Sequence, residues 1–319
     1  MTHVRLLAAV ALSLGLIGAE APAPSPSAST LKVFVLAGQS NMVGFGFVEA
    51  DPERNGGRGS LEHLVRDPET KGSYAHLADA SGDWIERDDV WISFGGARER
   101  DGALAPGYGA RDDRIGPELG FGTVVGDAID EPVLLVKVAW GGKSLAVDFR
   151  PPSAGGDVGP SYTALFERVR EVLADLDERF PDLQHDDVEI VGFGWHQGWN
   201  DRIDQARNDA YEENLAAFVR DARAELGVPK LPFVVAETGM SGRDETHPRA
   251  LSLMAAQRAV AERVEFRGNV AFVGTRDFFR PKELSPSGQA YHWNENAETY
   301  YLIGAGMGEA MLELLGARK

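Results

Sequence analysis

The sequence predicts an α/β fold, a three-layer α/β/α domain in which helices cover both faces of a parallel sheet. Two observations carry this. From residue 31 onward, compact Val/Ile/Leu/Phe runs of the kind buried on both faces alternate with amphipathic helical stripes. No Pro/Gly/Ser-rich boundary interrupts that alternation, so residues 31–319 read as a single domain. Strand–helix–strand repetition of this sort favours a parallel sheet joined by right-handed crossovers.

The elements follow in order. Met1 to Arg5 carry positive charge, Leu6 to Ile17 form an apolar run, and Gly18, Ala19 and Ala21 are small. That is the build of a secretory signal peptide over residues 1–21, too short to span a bilayer comfortably. The expected protein is secreted or periplasmic, with no membrane insertion after cleavage. Residues 22–30 form a Pro/Ala/Ser linker without core-forming side chains. Strands are expected at Leu31–Ala37, Pro132–Val138, Val188–Trp195, Leu231–Ala236 and Asn269–Gly274. One helical stripe runs through Leu165, Val169, Val172, Leu176 and Phe180 and stops at Pro181; another runs through Tyr211, Leu215, Phe218, Ala222 and Leu226 and stops at Gly227. Leu253 to Val264 and Ala297 to Leu315 supply two more helices. Gly304, Gly306 and Gly308 in the last one read as close-packing positions against the sheet. The stretch from Phe45 to Ile115, rich in Gly, Arg and Asp, reads as insertions that wall the site at one end of the sheet.

Composition excludes several chemistries. The 319-residue chain contains no cysteine, so a thiol nucleophile, a thiolate metal site and a disulfide scaffold are impossible. A covalent mechanism has to use oxygen. With 32 basic and 49 acidic residues the net charge is −17, which argues against nucleic acid as a partner. Cleavage after Ala21 removes Arg5 and Glu20 together and leaves that charge unchanged.

In such a fold, functional groups gather at the carboxyl ends of the strands. After the first strand comes AGQSNM at 37–42, with Ser40 at the start of a turn beside free backbone N–H groups. After the second comes AWGGKSL at 139–145, where Gly141 and Gly142 let a backbone N–H approach a reacting atom. After the third comes WHQGWND at 195–201, a dense set of side-chain donors. YHWNENAETY at 291–300 places His292 in a loop before the last helix. A serine early, amides in the middle and a histidine late is the layout of a hydrolase whose nucleophile and base meet only in the fold. Plainer roles exist for each: Ser40 as a helix cap, Asn200 and Asp201 as caps of a helix near Ile203, and Gly141 and Gly142 as a simple turn.

Competing motifs fail on spacing. A phosphate-binding loop ending at Gly142-Lys143-Ser144 needs glycine at 137, where Lys137 stands, and a G-x-S-x-G elbow needs glycine at 42, where Met42 stands. No G-x-G-x-x-G follows the first strand, and no H-E-x-x-H occurs.

The Gly38-Gln39-Ser40-Asn41-Met42 block, Gly116-Pro117-Glu118, Trp140-Gly141-Gly142 and Trp195-His196-Gln197-Gly198 together resemble the sialate O-acetylesterase-like branch of the SGNH hydrolases, related to carbohydrate esterase family 6. The resemblance covers essentially all of residues 31–315. It implies a flavodoxin-like sheet of about five parallel strands, and a serine esterase that removes acetyl groups from sugars with neither metal nor organic cofactor. It implies Ser40 as nucleophile and His292 as general base. The oxyanion donors it implies are the Ser40 N–H, the N–H of Gly141 or Gly142, and the side chain of Gln197 or Asn200, which compete for one role. Many relatives carry an aspartate three residues before the histidine; here Gln289 stands there. A backbone carbonyl, or a carboxylate such as Asp277, Glu283 or Glu295, is then expected to hold the imidazole.

The implied substrate is an acetylated mono-, oligo- or polysaccharide. The net charge ranks neutral glycans above sialylated polymers, and Trp140, Trp199, Tyr291 and Trp293 are candidates for stacking on sugar rings. Two other readings remain: a carbohydrate-binding protein that kept the fold without turnover, and an esterase for a non-sugar acyl ester.

Overall fold

The computed structural model describes residues 29–317, so the expected signal peptide and most of the expected linker lie outside the described residues. Among those residues nine strands form: β1 Thr30–Gly38, β2 Gly46–Phe47, β3 Val90–Gly96, β4 Arg100–Ala103, β5 Arg114–Ile115, β6 Val133–Ala139, β7 Asp187–His196, β8 Phe233–Ala236 and β9 Val270–Val273. The five long helices are α1 Pro117–Ala128, α2 Pro160–Ala174, α3 Tyr211–Glu225, α4 Pro248–Glu262 and α5 Ala297–Leu315.

Seven strands make one sheet in the order β4-β3-β6-β1-β7-β8-β9, and every neighbouring pair is parallel except β3 with β4. All five strands read from the sequence are present. Taken alone they run in the order 2-1-3-4-5, the flavodoxin-like arrangement. The sheet is wider than expected because β3 and β4 extend its β6 edge, and both lie inside the stretch from Phe45 to Ile115 that reads as insertions. The short β4, RDGA, is partly exposed throughout and pairs with β3 through its backbone, so no hydrophobic run marks it. β2 and β5 form a separate small ribbon.

Period-two alternation sorts the core into two layers. On β1, Leu31, Val33, Val35 and Ala37 face the layer containing Leu165, Phe166, Leu215 and Phe218 of α2 and α3. Phe34 and Leu36 point the other way, toward Phe121 of α1 and Met307 and Met311 of α5. The last helix shows why α1 has no clear sequence signature. PELGFGTVVGDA contains three glycines, which lower helix propensity, yet α1 and α5 touch backbone to backbone. A Cβ on Gly304 would collide with the Pro117 carbonyl, and one on Gly120 with the Tyr301 carbonyl. Gly304 and Gly308 therefore pack against α1 rather than the sheet, while Gly306 alone faces β9, through Val273.

Candidate active site

β1 lies where the strand order reverses, between β6 and β7, and the crevice outside the carboxyl ends of such strands is where α/β sheets bind ligands. Gly38 ends β1 opposite His196, and the Gln39 N–H donates to the His196 carbonyl (3.3 Å). The next four residues, Ser40–Val43, form a single helical turn. Ser40 is its first residue, half-buried, at a position whose backbone N–H has no intrahelical acceptor.

The Gln39 side chain locks this turn to the residues after β7. Its Oε1 accepts from the backbone N–H of Gly198 (3.1 Å) and of Asn200 (3.3 Å), and its Nε2 donates to Asn200 Oδ1 (3.1 Å). Sequence reasoning passed over Gln39; only the spatial neighbourhood reveals its role. Asn200 is half-buried and donates from Nδ2 to the Gly142 carbonyl (2.9 Å), which brings the second and third blocks together. Gly141 and Gly142 are exposed, with open space on their Cα side.

Gln197 is differently placed. It is 1% exposed, and its Nε2 faces three acceptors: Asp201 Oδ2 (2.6 Å), the Lys143 carbonyl (3.0 Å) and Gln39 Oε1 (3.3 Å). Its Oε1 accepts from the Tyr211 hydroxyl (3.1 Å). Asp201, fully buried, also accepts the N–H groups of Leu145 and Ala146 (2.8 Å each), and burial pushes its carboxyl up to about 6. Gln197 and Asp201 thus tie β7 to the 143–146 loop. Neither Asn200 nor Asp201 caps the following helix; Asp204 does, accepting from the Arg207 N–H (2.9 Å).

His292 reaches the same place from the far end of the chain. Asn41, next to Ser40, donates from Nδ2 to the Tyr291 carbonyl (3.2 Å). The Tyr300 hydroxyl donates to Asn41 Oδ1 (2.9 Å) and lies 3.3 Å from the His292 carbonyl. The serine turn and the histidine loop are therefore laced together, one residue away from each candidate. Trp293, Asn294 and Glu295 all have positive φ (53°, 54° and 57°), so this loop is backbone-strained as well as tied down. The imidazole lies against the Phe45 ring, with centroids 3.8 Å apart and planes 10° from parallel, and Tyr291 approaches at 4.5 Å. Burial lowers its pKa to about 4.

Among the described residues no carboxylate hydrogen-bonds to this ring. Nδ1 of His292 is buried without a hydrogen-bond partner. Asp277 is exposed and paired through both oxygens with Arg243, Glu283 is exposed beside Lys282 (4.0 Å), and the charge of Glu295 is felt by Arg114 and Tyr300. His196 is a core residue: fully buried, its Nδ1 beside the Ala236 carbonyl (3.4 Å), its pKa lowered by burial to about 4. Trp293 is 0% exposed and packs in the core near His196, so it cannot stack on a sugar. Trp140 and Trp199 are half-buried and Tyr291 is exposed, with Trp199 and Tyr291 rings 6.2 Å apart. Among the described residues no group of His, Asp and Glu could hold a metal ion, and no helix is long and apolar enough to cross a membrane.

Comparison with known proteins decides the family. The profile of a family described as carbohydrate esterase, sialic acid-specific acetylesterase, matches residues 30–313. The chain belongs to this family. It is accordingly a carboxylic ester hydrolase of the carbohydrate esterase type. Among solved structures, a protein from Arabidopsis thaliana shares 18% identity at a TM-score of 0.57, over 88% of this chain and 97% of that one. A carbohydrate acetylesterase from Xanthomonas citri shares 15% at 0.54, over 90% of this chain and 56% of that one. NanS shares 16% at 0.54, over 92% and 99%. At these identities the likeness concerns the fold. No curated protein matches the sequence.

Proposed function

We propose that this carbohydrate esterase removes O-acetyl groups by a two-step acyl transfer, with Ser40 as nucleophile and His292 as general base. The observation that carries the reading is the lacing of the two loops through Asn41, Tyr300 and the Tyr291 carbonyl at the sheet's switch point. His292 takes the Ser40 hydroxyl proton as Oγ bonds to the acetyl carbonyl carbon. The tetrahedral intermediate then expels the sugar oxygen, which receives the proton from His292. Water, deprotonated by the same imidazole, attacks the acetyl-serine and releases acetate.

The developing oxyanion is held by the Ser40 N–H, an N–H of Gly141 or Gly142, and Asn200 Nδ2. Asn200 takes this role over Gln197 because it is half-buried and spends one N–H on Gly142, whereas the Gln197 amide is buried among Asp201, Lys143 and Gln39. The substrate is an acetylated carbohydrate. The ranking of neutral glycans above sialylated ones, based on net charge, gains no support from a family described as sialic acid-specific. Charge spread over a whole surface is screened beyond about 8–10 Å and says little about one cleft. Export belongs to the same proposal, on the signal-like residues 1–21; an N-terminal sequence of the exported protein that begins upstream of residue 19 would refute it.

The test is hydrolysis of p-nitrophenyl acetate with fluorophosphonate labelling. Ser40→Ala is expected to abolish both, a fall of roughly 10⁴-fold or more. Undiminished hydrolysis in that variant overturns the assignment.

A further inference from the structure

We propose that Phe45 is the positioning residue of His292, its ring holding the imidazole where relatives with an aspartate three residues upstream would use a carboxylate. This rests on the reading of His292 as general base. The two rings are stacked nearly parallel, 3.8 Å between centroids and 10° between planes, and the buried Nδ1 faces no hydrogen-bond acceptor. Parallel overlap at this distance restricts rotation about the bond that would otherwise swing the ring out of line. The same π face favours the imidazolium that forms during proton transfer. Phe45 thus supplies both services of an orienting acid, by stacking instead of by a hydrogen bond.

Phe45 can do this only if it is itself fixed, and four contacts fix it. The Val43 carbonyl accepts from Lys137 Nζ (2.8 Å), and the Gly44 carbonyl accepts from the Ala110 N–H (2.8 Å). The Phe45 N–H faces the Tyr300 hydroxyl, and Gly46–Phe47 pair with Arg114–Ile115. Gly44 has φ +94°, and a Cβ there would collide with the Gly116 backbone, so the bend that aims Phe45 at His292 requires glycine. Lys137 holds Val43 from a buried pair with Glu118 (2.6 Å). One anchored segment, 40–47, therefore carries both the nucleophile and the ring that aligns its base.

Among the described residues no charged group perturbs the imidazole. Burial alone lowers its pKa, and the titratable groups around it are the hydroxyls of Tyr291 and Tyr300. The readout that a merely structural role of Phe45 would not move is therefore the split between kcat and KM, with rescue by the one substitution that keeps an aromatic ring.

The experiment compares Phe45→Leu, Phe45→Met and Phe45→Tyr with the unmodified enzyme on p-nitrophenyl acetate. Phe45→Leu and Phe45→Met are expected to lower kcat roughly 10–100-fold with KM within about two-fold. Phe45→Tyr keeps the stacking ring and restores most of the rate. A kcat within two-fold of the unmodified enzyme in either aliphatic variant, or a Phe45→Tyr variant as slow as the aliphatic ones, overturns the proposal. If Phe45→Leu unfolds, Phe45→Met and the rescue by Phe45→Tyr still decide. Should Ser40→Ala remain fully active, the assignment of Ser40 as nucleophile falls instead, and the two failures are distinct.

Discussion

Replacing Lys137 by methionine leaves Glu118 alone in the core. Both side chains are 0% exposed, and Lys137 Nζ donates to Glu118 Oε2 (2.6 Å) and to the carbonyls of Tyr108 (2.7 Å) and Val43 (2.8 Å). Burial pushes Glu118 up and Lys137 down, and each partner's charge opposes that shift in the other. Without Lys137, Glu118 stays protonated in the folded protein but ionises in the unfolded chain above about pH 4.3. The unfolded state then binds fewer protons, so stability falls by about 1.4 kcal/mol per pH unit. At about pH 7 the loss is about 4 kcal/mol, within the 3–5 kcal/mol range for breaking a buried pair. Glu118→Gln does the reverse. Lys137 goes neutral in the fold but is charged when unfolded below about pH 10.4, so stability rises with pH and the deficit at about pH 7 is about 5 kcal/mol. Urea unfolding followed by tryptophan fluorescence from about pH 6 to about pH 9 should show opposite slopes for the two variants and neither slope in Lys137→Met/Glu118→Gln. Equal slopes in the two single variants would refute the reasoning.

Three further outcomes follow from the contacts around the 195–201 block. His196 is neutral in the fold because burial lowers it to about 4, so its contribution is complete above about pH 6.5 and is lost as pH falls toward 4, about 3 kcal/mol in all. Asp201, raised to about 6, acts oppositely: its burden is relieved as pH falls from 6 toward 3.8. Thermal melts of Asp201→Asn should therefore show a steeper acid loss than the unmodified protein, and an unchanged pH dependence would contradict the assigned burial effects. Asn200→Ala is expected to lower kcat roughly 10²–10³-fold with little change in melting temperature. Gln197→Ala should lower the melting temperature as well, because it removes one buried hydrogen bond each from Asp201 and Tyr211; a purely kinetic defect in Gln197→Ala would reverse the two roles.

The gathering of Ser40, the glycine pair, the 195–201 block and His292 at one end of the sheet was legible because the rule placing function at strand ends needs only the order of hydrophobic runs, and the five runs survive in the sheet. The family blocks were legible for the same local reason. What escaped was everything whose identity depends on a distant partner. Strand β4 is marked by no apolar run, because an edge strand is made by backbone pairing to β3. Helix α1 hides behind glycines whose purpose appears only when α5 lies on them. Trp293, an aromatic beside His292, reads as a sugar platform in the sequence and is core.

By itself, the sequence determined that no thiol is present to act as nucleophile and that the fold is a layered α/β sheet, and it singled out a serine turn and a histidine loop as the proposed site. Residue types and short-range periodicity suffice for those statements. The tertiary structure alone decided that Gln197 is a buried strut while Asn200 borders the site, and that His292 rests on Phe45 and meets no carboxylate. Those outcomes depend on which polar atoms are buried and what they face after residues some 250 apart have met, as Asn41 and Tyr291 do.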